Sequence, residues 1–285
     1  MGKILKMDFR RLFKNPFFYA YPFAVIEILV LNMMISEPGT DRSIHIVSVL
    51  QQAEEVFSFA IVAAGIIVIA HMAAFDKHGY SKNLVGNVNG RHMLTLSKLI
   101  LGAFTMVTYA IANFCLIFGI LKHEMGNITF ISEYPYPESA DMLPESLRKN
   151  WESPEDWTAR IKEYINHEVL HYVIMIVAGI AVIAMLIMLY ELTRSSAFSY
   201  VMVILIGFEI LEQLIVMVVG LVFPKFAISR YLFMTQFAYF NEQTFLDSSK
   251  DLAADPVWTF WVRNLIYIAI FAGASLFISK KKDAA

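Results

Sequence analysis

Residues 169–192 read VLHYVIMIVAGIAVIAMLIMLYEL, an apolar run interrupted only by His171 near its start and Glu191 at its end. It exceeds the roughly 20 residues that carry a helix across a bilayer core. Five further runs match it in length and character: 17–35, 56–75, 99–121, 197–223 and 257–279. Each lacks the alternation of a lipid-facing β-strand. In lipid the backbone must satisfy its own hydrogen bonds, so the runs predict six transmembrane helices. Composition agrees. Of 285 residues, 58% are hydrophobic and only 17% charged, and the mean hydropathy is +0.56. Globular domains are about half apolar, so the excess predicts lipid contact.

The flanks of these runs set an expected orientation. Lys3, Lys6, Arg10, Arg11 and Lys14 precede the first; Lys77, Lys82, Arg91 and Lys98 lie between the second and third. Arg194 occupies the fourth–fifth turn, and Lys280, Lys281 and Lys282 follow the last run. The remaining loops are longer and rich in Asp and Glu. The positive-inside rule therefore puts both termini in the cytoplasm of a multi-pass protein. The first run carries Glu27 and no small-residue cleavage site follows it, so no cleaved signal is expected. The net charge of -2 gives no field that would attract nucleic acid. Cys115 is the single cysteine, which excludes an internal disulfide and a cysteine-based zinc site.

The chain reads as one transmembrane domain over residues 1–285. Within residues 1–16, Leu5, Phe9, Leu12 and Phe13 share one helical arc, and Lys3, Lys6, Arg10, Arg11 and Lys14 the opposite one. That pattern predicts an N-terminal amphipathic interfacial helix lying on lipid, ended by Asn15-Pro16. Residues 122–168 form an acidic extracytoplasmic loop with an expected helix at Pro154–His167. Residues Phe226–Phe240 are aromatic and nearly uncharged, too apolar for a free loop and too short to span. They predict a re-entrant or interfacial segment before the last span. Ala60, Ala63, Ala64 and Gly65 would allow close helix packing, within the chain or at a dimer seam.

No GxxxxGK[ST] phosphate loop occurs, so the chain binds no nucleotide in that way and ATP-driven work would need a partner. The segment KILKMDFRRLFKNPFFY at 3–19 and the stretch DKHGYSKNLVGNVNGRHMLTLSK at 76–98 carry a resemblance. In the latter, Gly79-Tyr80, Lys82-Asn83-Leu84, Arg91 and Leu96-Ser97-Lys98 follow one another in order. With six spans around them, they resemble the membrane permease of type-2 ABC exporters, in particular those for bacteriocins and other peptides. The long acidic loop after the third run departs from many members.

The resemblance implies a bacterial cell membrane, an ABC ATPase subunit holding ATP and Mg, and a second permease copy or paralogue. It implies an amphipathic peptide as cargo. It also implies that Phe9, Arg10, Arg11 and Phe13 on the first helix contact the ATPase, together with Gly79, Tyr80, Lys82, Asn83 and Leu84. Physically, residues 76–98 would be a cytoplasmic coupling loop, a short lever between two long helices. This chain itself is expected to bind no cofactor and to catalyse no reaction.

Two other groups of residues invite chemistry. Glu27, Glu209, Glu212 and Arg263 are ionisable inside apolar runs, where each is costly unless paired or hydrated. They predict a translocation path or an intramembrane pair, with Arg263 set against one of the two acids on the fifth span. His167-Glu168-Val169-Leu170-His171 is a literal HExxH, which on a helix offers two imidazoles to zinc and a general base. It defines the alternative, a membrane zinc metallopeptidase. A catalytic zinc needs a third protein ligand. Glu191 would lie about 30 Å away along a continuous helix, and His123 is the remaining outer histidine in position. The sequence therefore assigns no metal.

Overall fold

A computed structural model describes residues 2–35, 44–77, 91–125, 128–129, 154–223, 226–239 and 256–283. The architecture is helical. In chain order the helices are α1 (Gly2–Leu12), α2 (Pro16–Ile35), α3 (Ile46–Glu55), α4 (Phe57–Lys77), α5 (Arg91–Met125), α6 (Pro154–Thr193), α7 (Ser196–Gly207), α8 (Ile210–Val222) and α9 (Val257–Asp283). Two short 3-10 turns, Ile228–Tyr231 and Thr235–Tyr239, lie between α8 and α9. Ile44-His45 pairs in parallel with Ile128-Thr129 over two residues, joining the chain just before α3 to the chain just after α5.

The sequence predicts six spans; the described residues contain four helices long and apolar enough to cross a membrane. They are Phe57–Ala74, Arg91–His123, Ile165–Thr193 and Val257–Lys281, with a fifth if α7 and α8 count as one crossing. This suits a membrane-embedded chain. The first expected span falls on α2, of which Pro16–Ile26 is a shorter apolar helix. The fifth expected span is broken, because α7 and α8 meet at a bend of 68°. Glu209 at the break has φ 61° and ψ 6°, a left-handed conformation disfavoured for a residue with a Cβ. The helix expected at Pro154–His167 is continuous with the fourth span, giving a single 40-residue α6.

Helix α6 is the centre of the bundle, packed against α3, α4, α5, α7 and α9. Small residues permit this crowding. A Cβ on Gly102 would stand 2.5 Å from Ile183 Cγ2, and one on Gly65 would stand 2.9 Å from Val203 Cγ1. Ala60 and Ala64 are fully buried. The small face of α4 is thus used inside the chain, against α6 and α7.

Buried hydroxyls tie the layers together. Tyr172 donates to the Ala110 carbonyl at 2.7 Å, and Tyr21 donates to Asn113 Oδ1 at 2.6 Å. Tyr109 donates to the Phe18 carbonyl at 3.1 Å. The exposed side chains of α8 and α9 are largely apolar, Leu221, Val222, Leu265 and Phe277 among them. That is the composition expected of a surface that faces lipid rather than water.

Helix α1 forms where its amphipathic pattern predicts it, but it docks on protein. Its buried line is Ile4, Asp8 and Leu12. Phe9 packs edge-on against Phe104 of α5, with ring centroids 4.9 Å apart. Phe13 is half exposed and also touches Phe104, at 6.2 Å. Arg10 is exposed and Arg11 partly buried. The helix turns an acid toward the bundle because α5 offers that acid a cation. Lys98 Nζ donates to Asp8 Oδ1 and the Ser97 hydroxyl to Oδ2, each at 2.6 Å.

Candidate functional sites

Polar side chains gather at both ends of the bundle. At the end where α4 leads into α5, Asp76 receives donors from three directions. Arg91 Nη2 reaches its two oxygens at 2.9 and 3.2 Å, the Tyr190 hydroxyl donates at 2.8 Å, and Arg194 Nη1 donates at 3.3 Å. Glu191 stands beside it, almost fully buried. Its Oε2 lies 2.6 Å from Arg194 Nη2 and 3.6 Å from Arg91 Nε. The Thr95 hydroxyl lies 3.1 Å from Glu191 Oε1 and 2.9 Å from Ser279 Oγ.

Four helices supply these groups, because each ends or begins at this level: Asp76 on α4, Arg91 and Thr95 on α5, Tyr190 and Glu191 on α6, Ser279 on α9. Arg194 lies in the α6–α7 turn with φ 57°. A small cleft opens between Asp76, Arg91, Lys98 and Glu191. Such a network of charge-assisted bonds is stiffer than its separate pairs and fixes the register of the helices that share it. The coupling loop is expected over 76–98, but Asp76 and Lys77 end α4 and residues 91–98 already belong to α5, so Asp76 and Arg91 flank a shorter connection at 78–90. Gly79, Tyr80, Lys82, Asn83 and Leu84 themselves lie outside the described residues.

The intramembrane acids do not converge on Arg263. Glu212 is buried and accepts from the backbone amides of Met234, at 3.0 Å, and Thr235, at 3.0 Å. Its carboxylate thereby pins residues 226–239 onto the bundle, where Met234 and Phe237 join the core. Arg263 donates to the Arg230 carbonyl and to Gln236 Oε1, and lies over the rings of Tyr231 and Phe260 at 5.3 and 5.2 Å. Among the described residues no ion pair joins Arg263 to Glu209 or Glu212. Glu212 lies one turn past the bend at Glu209 and takes its donors from those backbone amides instead. Glu27 lies on α2, and its side chain is outside the described set.

At the opposite end the HExxH stands on α6, and a third chelating side chain stands beside it. Glu54, Glu168 and His171 each bring a donor atom within 4.8 Å of the others. His171 Nδ1 is 2.9 Å from Glu54 Oε1. His167 is outside this group, its Nδ1 being 3.9 Å from Glu168 Oε1. Glu54 is the residue that sequence reasoning missed. It sits at the end of α3, one turn before α4. Burial pushes its carboxyl above the ordinary range; the imidazole of His171 pulls it back, and the neighbouring Glu168 pushes it further up. The available signal was positional, because Glu54 and Glu168 abut the same end of two neighbouring apolar runs.

Compared with known proteins, the chain matches no family model, and no curated protein or solved structure is significantly similar to it.

Proposed function

We propose that this chain is the membrane permease subunit of an ATP-driven exporter, driven by separate ABC ATPase subunits that carry ATP and Mg. Two copies, or one copy and a paralogue, would enclose the path, since a single small bundle lacks a second wall. The cargo class is an amphipathic or hydrophobic peptide, both termini are cytoplasmic, and the membrane is the cell membrane.

One observation carries the reading. Asp76 and Arg91 flank segment 78–90 and are bonded to each other, and Asp76 also accepts from Tyr190 and Arg194. A partner that pushed on that segment would move α4, α5 and the α6–α7 turn as one body. A coupling loop needs that property, because force is lost in any joint that yields. The absence of a phosphate loop from the sequence supports an energy source on another chain. The peptidase alternative has less support. It needs His167 and His171 as ligands with Glu168 held apart as base, whereas the group formed here is Glu54, Glu168 and His171.

The test is co-purification from the native source with hydrolysis and export measured together. Tyr80→Ala with Lys82→Glu should weaken recruitment of an ATPase, since an aromatic anchor at a docking site usually loses more than about 1 kcal/mol on truncation. Asp76→Ala should leave recruitment intact but separate hydrolysis from export. If no ATPase co-purifies, or both variants export normally, the reading is wrong.

A further inference from the structure

The Glu54–Glu168–His171 group is independent of the exporter reading and lies at the other end of the bundle. Its components are unusual for a structural ion pair. Glu168 is 1% exposed, and among the described residues neither of its carboxylate oxygens accepts a hydrogen bond. Buried polar groups are almost always satisfied, and a buried carboxylate facing a second carboxylate is the costliest exception. His167 approaches Glu168 only to 3.9 Å, without a hydrogen bond, so the two acids are balanced by imidazoles alone and leave room for a cation. The donors stand near the spacing of ligands. Two donors each about 2.1 Å from a zinc ion are separated by roughly 3–3.5 Å. His171 Nδ1 and Glu54 Oε1 are 2.9 Å apart, with Glu168 inside the same 4.8 Å radius.

We propose that Glu54, Glu168 and His171 bind one divalent first-row transition-metal ion, zinc being the best match to one imidazole and two carboxylates. The ion links α3 to α6 and neutralises the two acids. Phe237, whose ring lies 5.1 Å from that of His171, gives the site an apolar border. Such a border favours tight ligation by keeping competing water away. The site is a structural link rather than a hydrolytic centre. Glu168, which would have to act as the base of an HExxH enzyme, is used as a ligand.

The experiment uses the full chain, purified in detergent, stripped with a chelator and titrated with zinc and with cobalt as a coloured probe. The expected result is uptake of one ion per chain, visible d–d bands with cobalt, and a rise in unfolding temperature on adding zinc. Glu54→Gln, Glu168→Gln and His171→Asn should each weaken binding by about 100-fold or more, since even partners outside the ligand sphere can be worth 10–100-fold. His167→Asn, which removes a neighbour of Glu168 at 3.9 Å but no ligand, should cost no more than about 10-fold. Three results would overturn the proposal. One is wild-type protein that takes up no ion. Another is binding indifferent to the three ligand replacements. The last is loss of binding in His167→Asn equal to that in His171→Asn, which would restore the two-histidine HExxH geometry. These readouts require no ATPase, so failure of the exporter reading leaves them unaffected, and the converse holds.

Discussion

Asp8 and Lys98 form a buried ion pair, 2.6 Å between Oδ1 and Nζ, with exposures of 0% and 2%. It fastens the N-terminal helix to the start of α5. Removing one member of such a pair strands the other in an apolar setting and costs about 3–5 kcal/mol. Asp8→Ala should therefore lower the unfolding temperature strongly. Asp8→Leu combined with Lys98→Met should recover most of the loss. A double replacement as unstable as the single one would show that the pair is not what holds α1.

Glycine in a helix has a different cost at each site. Gly102 faces Ile183 and Val68 with no room for a methyl group, whereas Gly220 has nothing within 4 Å of an added Cβ. Overpacking costs about 1–3 kcal/mol, and alanine is worth about 1 kcal/mol over glycine in a helix. Gly102→Ala should destabilise and Gly220→Ala should stabilise modestly, both read by thermal unfolding. Equal shifts for the two would mean that α5 and α6 are not in close contact.

The break between α7 and α8 leaves its own signature at Glu209. The left-handed conformation costs a residue with a Cβ about 1–2 kcal/mol, and glycine avoids the cost. Glu209→Gly should raise the melting temperature, while Glu209→Ala should not. An equal gain from alanine would trace the effect to removal of the partly buried acid rather than to backbone strain.

Orientation is checked with two reporters, one inserted at Ser139 and one fused after Lys282. If α6, the bent α7–α8 pair and α9 each cross once, the reporters fall on opposite sides, which is the expected outcome. Reporters on the same side would make the bent pair a re-entrant loop and end the assignment of both termini to the cytoplasm.

Helices were legible where apolar runs reached spanning length, because hydropathy over a window is a local property, but the same window hid the break of the run 197–223 at Glu209. The bounds of α4, α6 and α9 enclose the runs read from the sequence almost completely. What escaped was non-local. The helical wheel of residues 1–16 gave Leu5, Phe9, Leu12 and Phe13 as the apolar arc, yet burial follows Ile4, Asp8 and Leu12. Whether an aspartate is buried depended on a lysine ninety residues away. Glu212 looked like a partner for Arg263 because both are ionisable and lie at compatible depths. It satisfies itself on the amides of Met234 and Thr235, which no pattern of side chains reveals. Glu54 was invisible for the same reason, since its significance lies in α6, which it meets only in the fold. The permease resemblance rests partly on residues 78–90, outside the described set, and on residues 3–19, where the helix docks on α5.

The two halves of the bent segment are 12 and 13 residues long, each well under the roughly 20 needed to cross a bilayer core. Neither half could be inserted on its own merits. If the segment crosses once, an insertion machinery reading the nascent chain meets a predominantly apolar stretch from Ala197 to Phe223, with Glu209 and Glu212 inside it, and commits it as a unit. The bend is then a product of folding within the membrane, set when α7 packs on α4 and α6 and when Glu212 captures the turn at Met234. Biogenesis and the final fold thus read the same residues differently, and a variant can disturb one without the other.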